Sequence, residues 1–244
     1  MKHLLAPLVL AIAAGSIHAA EAPAAKPQAA TSAELNAMAK RFAPVDLSAE
    51  TAGLSKGDRA AIGQLIEAAK IVDTLQLRQR WAGNEALWAA LQKDTTPLGK
   101  ARQHYFWLNK GPWSIIDGNA SFMPAEYAGM RIPARKPDGA NFYPAGATKA
   151  ALESWMNALS AKEKEEAQWF FTVIRSSPDG KFRTVKYSEE YKPELEKLAK
   201  LLRDAAASTD NASLKKFLLL RADAFLSNDY LASDFAWMDL DSPV

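Results

Sequence analysis

The chain has 244 residues, 48% of them hydrophobic and 24% charged, with no cysteine and a formal net charge of +2. A near-neutral chain of mixed charges gives no electrostatic reason to bind nucleic acid or an anionic membrane. Without cysteine there is neither a disulfide nor a lipid-modified thiol, so the fold must rest on core packing alone.

Residues 1–20, MKHLLAPLVLAIAAGSIHAA, carry an early Lys2, an apolar run from Leu4 to Ala14 and a small-residue exit at Ala19 and Ala20. That pattern reads as a secretory signal peptide and predicts a periplasmic protein. Residues 21–30 are rich in Ala and Pro and are expected to form a disordered leader. No other segment reaches the roughly 20 apolar residues that a membrane span requires. The folded part is therefore expected over 31–244.

Helix signals dominate the rest of the chain, and the predicted class is mainly α, with a small β component (α+β). Thr31 and Glu34 form a capping box before LNAMAKRF, and Ser55 precedes a long run in which Ile62, Leu65, Ile66, Ala69, Val72, Leu75 and Leu77 recur at helical spacing. NEALWAALQKD follows Gly83, and Pro97 opens LGKARQHYFWLNK. Later helices are expected after Thr148, after Ser160 with Glu163, from Pro193, and after Asp210 as N-cap. Between them, 170–187 alternates with period two on both sides of Pro178-Asp179-Gly180, which predicts a β-hairpin. Residues 111–146 show no period but hold Trp113, Phe122, Tyr127, Phe142 and Tyr143 among Pro and Gly. A long aromatic loop is expected there, either functional or packed by its own side chains.

Catalytic motifs are absent. Once the signal segment is set aside, His104 is the sole imidazole, and there is no G-x-S-x-G elbow, no H-E-x-x-H and no glycine-rich phosphate loop. His104 lies among aromatics in QHYFWLN, so a packed histidine is the expected role, not a catalytic base. In an extended stretch Asp239 and Asp241 would point the same way and could share a cation, although facing water is the favoured reading. Arg131, Arg135 and Lys136 could hold a carboxylate, or simply be solvated. No catalytic and no metal-binding residue is assigned, and no cofactor is expected in this chain.

Three segments together, ARQHYFWLNKGPWSIIDG (101–118), KPDGANFYP (136–144) and FLSNDYLASDFAWMDLDSP (225–243), resemble bacterial members of the dipeptidyl peptidase III family, the M49 zinc metallopeptidases. The resemblance implies a two-lobed aminopeptidase that removes dipeptides from peptide N-termini. Its zinc would be held by two His of an H-E-x-x-G-H type helix and a later Glu, with the first Glu acting as general base on the metal-bound water. None of those residues has a counterpart here. The resemblance therefore implies an N-terminal lobe over 31–244 that ends before the zinc-binding part, inactive alone, with zinc and short peptides bound only by the full-length protein. It also implies that a cleft-lining strand would follow DLDSP, leaving Phe235, Trp237 and Leu240 without their cover. Candidate substrate-binding residues on the matching segments are Asn141, Tyr143, Trp237 and Asp239. The alternative is a complete, non-catalytic periplasmic module that binds peptides or partners through 111–146.

Overall fold

The computed structural model describes residues 29–244. The expected signal peptide and all but the end of the expected leader lie outside the described residues. At the leader's end the Ala30 amide donates to the Phe122 carbonyl at 3.3 Å.

The described residues are mostly helical, with three two-stranded antiparallel sheets. Helices α1 (Ser32–Ala39), α2 (Lys56–Arg80), α3 (Asn84–Lys93) and α4 (Pro97–Asn109) come first. Two tiny hairpins come next, β1 (Trp113–Ser114) with β2 (Ala120–Ser121), then β3 (Glu126–Tyr127) with β4 (Met130–Arg131). After them are α5 (Lys149–Ala158), α6 (Ala161–Ala167) and the longer hairpin of β5 (Thr172–Ser176) and β6 (Phe182–Lys186). The chain closes with α7 (Tyr187–Glu190), α8 (Lys192–Ser208), α9 (Ala212–Ser227) and α10 (Leu231–Met238). Among the described residues no helix is long and apolar enough to cross a membrane.

Local chemistry explains most helix starts. Thr31 Oγ1 accepts from the Glu34 amide at 3.3 Å while the Glu34 carboxylate accepts from the Thr31 amide at 2.7 Å, and Ser160 with Glu163 repeats the exchange. Ser55 and Thr96 cap α2 and α4, with Pro97 placed where its missing N–H costs nothing. For α9 the cap is Asn211, whose Oδ1 accepts from the Leu214 amide at 2.8 Å, and not the expected Asp210. Gly57, in the first turn of α2, has a positional reason. A Cβ there would lie 2.2 Å from the Ser208 carbonyl oxygen, so only glycine lets α2 and the end of α8 meet.

The buried side chains form two cores. In the first, Ala61, Ala68 and Leu75 of α2 pack on Leu195, Leu198, Ala199, Leu202 and Ala205 of α8 and on Leu214, Leu218 and Ala222 of α9. Alanines at these contacts let the helix axes approach closely. In the second, Leu77 joins Leu35 of α1, Leu87 and Leu91 of α3, Tyr105 and Phe106 of α4, and Phe122, Met123 and Ile132 from the two small hairpins. The single stripe expected along α2 is thus corrected. Leu75 and Leu77, about 200° apart around the helix, enter different cores, whereas Ile66 and Val72 stay about half exposed.

Residues 111–146 are not structureless. Trp113 is fully buried and its Nε1–H donates to the Pro133 carbonyl at 2.8 Å, and Asn109 Oδ1 accepts from the Ile115 amide at 2.9 Å. The 172–186 hairpin matches its expectation, with Val173 opposite Val185 and Gly180 at φ +79° in the turn.

Arg41, just past α1, clamps this second core. Its guanidinium donates to both Asp117 oxygens, at 2.9 and 2.5 Å, and to the Tyr105 hydroxyl at 3.2 Å. The Arg41 and Ser114 hydrogen bonds outweigh a slight opposing burial effect and hold the Asp117 carboxyl at about 2, below its ordinary 3.8. Ionised Asp117 therefore favours folding above pH 3.8, and that contribution is lost as pH falls through about 2. The expected outcome is a stability gap between wild type and Asp117→Asn that is open near about pH 5 and closes toward about pH 2 in urea unfolding curves. A gap independent of pH would contradict the clamp.

Candidate functional site

An aromatic-walled concavity lies where α2, α8, α9 and the start of α10 meet the residues before β5. Its volume is about 540 Å³, within the range of small-molecule sites. Leu75, Leu195 and Leu198 form an apolar floor, and Tyr191, 1% exposed, lies beside them. Around them stand Phe171, Tyr187, Phe225 and Tyr230, with Gln76 and Gln79 from α2.

The aromatic wall is set by one residue at the end of α9. Asn228 adopts the left-handed conformation (φ 62°), which asparagine tolerates better than most residues. It is held there from both sides: its Oδ1 accepts from the Ser188 amide at 2.9 Å and its Nδ2 donates to Ser188 Oγ at 2.6 Å. The turn that results brings the Tyr230 ring to 4.5 Å from Phe171 and to 5.8 Å from Phe225, edge-on to the latter. Tyr187 meets Tyr191 edge-on at 5.2 Å. At the rim Arg221 donates to Asp234 at 2.6 Å, and its guanidinium sits 5.3 Å from the Tyr230 ring centre.

Electrostatically the cavity is neutral. Its single ion pair is internally compensated, and burial favours the uncharged phenols. The Tyr187 hydroxyl is pushed up to about 12, chiefly by burial, and burial raises Tyr191 and Tyr230 as well. Such a lining can hold an uncharged planar group. It presents neither a nucleophile paired with a base nor a metal donor set. Among the described residues no three His, Cys, Asp or Glu side chains converge as metal ligands.

The four candidate residues named from sequence do not share a cavity. Asn141 spends its side-chain amide on the Arg78 carbonyl at 2.9 Å, while its backbone amide donates to the Gln79 carbonyl at 2.8 Å, tying the loop to the end of α2. Tyr143, 37% exposed, lines a separate hollow of about 610 Å³ between that loop and α5. Trp237, 61% exposed, borders an apolar groove over α2 and α9, and Asp239 caps the C-terminus of α10. Asp239 and Asp241 are therefore not in an extended stretch. The Asp241 backbone is instead held by Asn211 and by Ser213, at 2.9 and 2.8 Å. Phe235 is 59% exposed, but Leu240, expected to lack cover as well, packs against the first core, and α10 docks on α9 with Ser233 and Ala236 buried.

His104 faces solvent on α4 and is not packed among the neighbouring aromatics as expected. Of the basic cluster, Arg135 donates to the Gly118 carbonyl at 2.9 Å, and Arg131 is exposed on β4. The tyrosines and Arg221 were not singled out as a site from sequence. The available signal was a tyrosine at buried helical spacing (Tyr191 ahead of Leu195 and Leu198), where a hydroxyl has to find a partner.

No family model matches the chain. It is similar to the solved structure of dipeptidyl-peptidase III from Corallococcus sp. strain EGB, with 50% identity and a TM-score of 0.83, over 88% of this chain and 39% of that one. It is also similar to dipeptidyl-peptidase III from Caldithrix abyssi, at 37% identity and a TM-score of 0.77, over 85% and 38%. A protein named Nudix hydrolase 3 from Arabidopsis thaliana is 34% identical over 255 residues, which is 87% of this chain and 33% of that protein. The chain thus spans less than two fifths of the solved relatives' length and a third of the plant protein's.

The raised tyrosines give a measurable consequence. Because the folded chain keeps the Tyr187 proton beyond its ordinary 10, up to about 12, stability should fall as pH rises across that interval. Ultraviolet titration should show a late phenol ionisation near 12 whose amplitude Tyr187→Phe lowers; a single ionisation step near 10 would contradict the described burial.

Proposed function

This chain belongs with the dipeptidyl peptidase III family over the part it spans, and on that premise we propose that it is a portion of a peptidase that removes dipeptides from peptide N-termini. The observation that carries the proposal is the half-identical match to a solved member, maintained over nearly the whole described fold. Within that reading the chain supplies helical scaffold and not the reacting groups. It is exported through residues 1–20, and the N-terminal-lobe assignment over 31–244 rests on the resemblance of its three signature segments.

Zinc belongs to this reading only for the full-length protein. The residues present do not fit the ion: the lone described imidazole, His104, is exposed, and no three suitable donors converge among the described residues. No catalytic step is assigned to this chain. Asn141, Tyr143, Trp237 and Asp239 remain proposed peptide contacts of the longer protein, reached when its remaining polypeptide lies against these surfaces. A stand-alone module using 111–146 has less support, because Trp113, Phe122 and Ile132 of that segment are buried, the last two in the second core.

The expected outcome for the purified chain is no release of dipeptides from chromogenic dipeptidyl substrates, with or without added zinc. A longer protein with the zinc-binding portion fused after Val244 should acquire zinc-dependent turnover. Turnover by the chain alone that survives repurification and disappears in His104→Ala would overturn the assignment.

A further inference from the structure

The stretch between α1 and α2 carries a strand pattern that no sheet uses. Residues 43–50 read APVDLSAE, in which Ala43, Val45, Leu47 and Ala49 alternate with Pro44, Asp46, Ser48 and Glu50. Strict alternation of this kind is the signature of a β-strand with one face buried. In the fold these residues form no helix, strand or turn, and all of 43–53 is exposed, Val45 by 74% and Leu47 by 93%. Among the described residues no backbone group of 43–50 has a backbone hydrogen-bond partner. Pro44 lacks an N–H, so the edge that a strand would share between 44, 46 and 48 is incomplete. The opposite edge, at Val45, Leu47 and Ala49, keeps every donor and acceptor.

We infer that 43–50 is a β-strand that pairs, through Val45 and Leu47, with a sheet edge in the polypeptide that the longer dipeptidyl-peptidase III relatives carry outside the shared region. Such a pairing presupposes that the chain is a portion of a peptidase. The match covers 88% of this chain but only 39% of the Corallococcus protein, so the larger part of that protein lies outside it and can supply the sheet. The far end of the chain is tied to the same place. Asn211 and Ser213 donate to the Asp241 carbonyl, the Asn211 amide donates to Thr209 at 3.1 Å, and Thr209 donates to Asp58 in the first turn of α2 at 2.6 Å. Polypeptide joined after Val244 would thus set out from the end of α2 into which 43–55 leads. A second copy is a poorer partner. Its described strands all lie in two-stranded hairpins, and a ribbon of two 43–50 segments would be marginal in water. In the pairing inferred here, main-chain bonds supply affinity, and burial of Val45 and Leu47 sets the register.

The test is amide hydrogen exchange on a chimera in which this chain continues, after Val244, into the remaining polypeptide of the Corallococcus protein. Expected are fast exchange at Val45 and Leu47 in the chain alone and exchange slower by about 100-fold or more in the chimera, with Asp46 and Ser48 still fast. Leu47→Asp should leave the melting midpoint of the chain unchanged and lower that of the chimera. Fast exchange at Val45 and Leu47 in a folded chimera would overturn the strand, and zinc-dependent turnover by the same chimera would show that the peptidase reading stands regardless. Slow exchange without turnover would support the strand and count against the peptidase reading. If the chimera does not fold, the Corallococcus protein itself decides at its two aligned residues, where slow exchange supports the pairing and fast exchange overturns it. Protection of Val45 and Leu47 that the chain alone acquires with rising concentration would assign the strand to a second copy and overturn the partner named here.

Discussion

Helix α2 has to satisfy two cores at once. Ala61, Ala68 and Leu75 commit one side of it to α8 and α9, while Leu77 and the following Trp81 commit the other to α1, α3 and α4. Its last turn binds the two halves further. Arg78 donates to Glu85 of α3 at 2.7 Å and to Glu194 of α8 at 2.7 Å. Burial alone would raise the Glu194 carboxyl, but the hydrogen bond from Arg78 leaves it below the ordinary value, so the pair is ionised across neutral pH. The Arg78 carbonyl meanwhile receives Asn141. One helix end thus joins α3, α8 and the aromatic loop, and Val72, Gln76 and Gln79 of the same helix line the cavity beside Leu75.

Much of the fold was legible because its signals are local. Capping boxes at Thr31 and Ser160 act within three residues, and the turn at Pro178-Asp179-Gly180 sits between two alternating strands, so these elements are dictated by neighbours in sequence. The covered face of α2 was not, because a helical period states that a stripe exists and not where its partner lies. Burying small residues there let α8 and α9 approach along Ala61 and Ala68, and the larger Ile66 and Val72 were left outside. The hairpins within 111–146 were invisible for a different reason. Two-residue strands have no alternation to detect, and what orders them is the distant Trp113–Pro133 hydrogen bond.

The candidate site was less legible than the fold. Asn141 and Tyr143 are close in sequence yet serve different surroundings, and Asp239 caps a helix where an extended stretch was considered. The aromatic cavity draws Tyr187 from the start of α7, Tyr191 from the junction of α7 with α8 and Tyr230 from beyond α9, brought together by the Asn228–Ser188 exchange and by Phe171, which meets both Tyr187 and Tyr230. No sequence spacing announces such a meeting. The similarity to solved dipeptidyl-peptidase III structures is strong because the scaffold is shared throughout, and it assigns no reaction to these side chains.

Native-state hydrogen exchange along α2 bears most directly on the claim that one helix makes two cores a single cooperative body. Amides from Ala61 through Leu77 should open together, at the free energy of global unfolding. A break between the Ala61–Ala68 and Leu75–Leu77 stretches, with the two ends exchanging at separate and lower free energies, would show two independently stable cores and contradict the account.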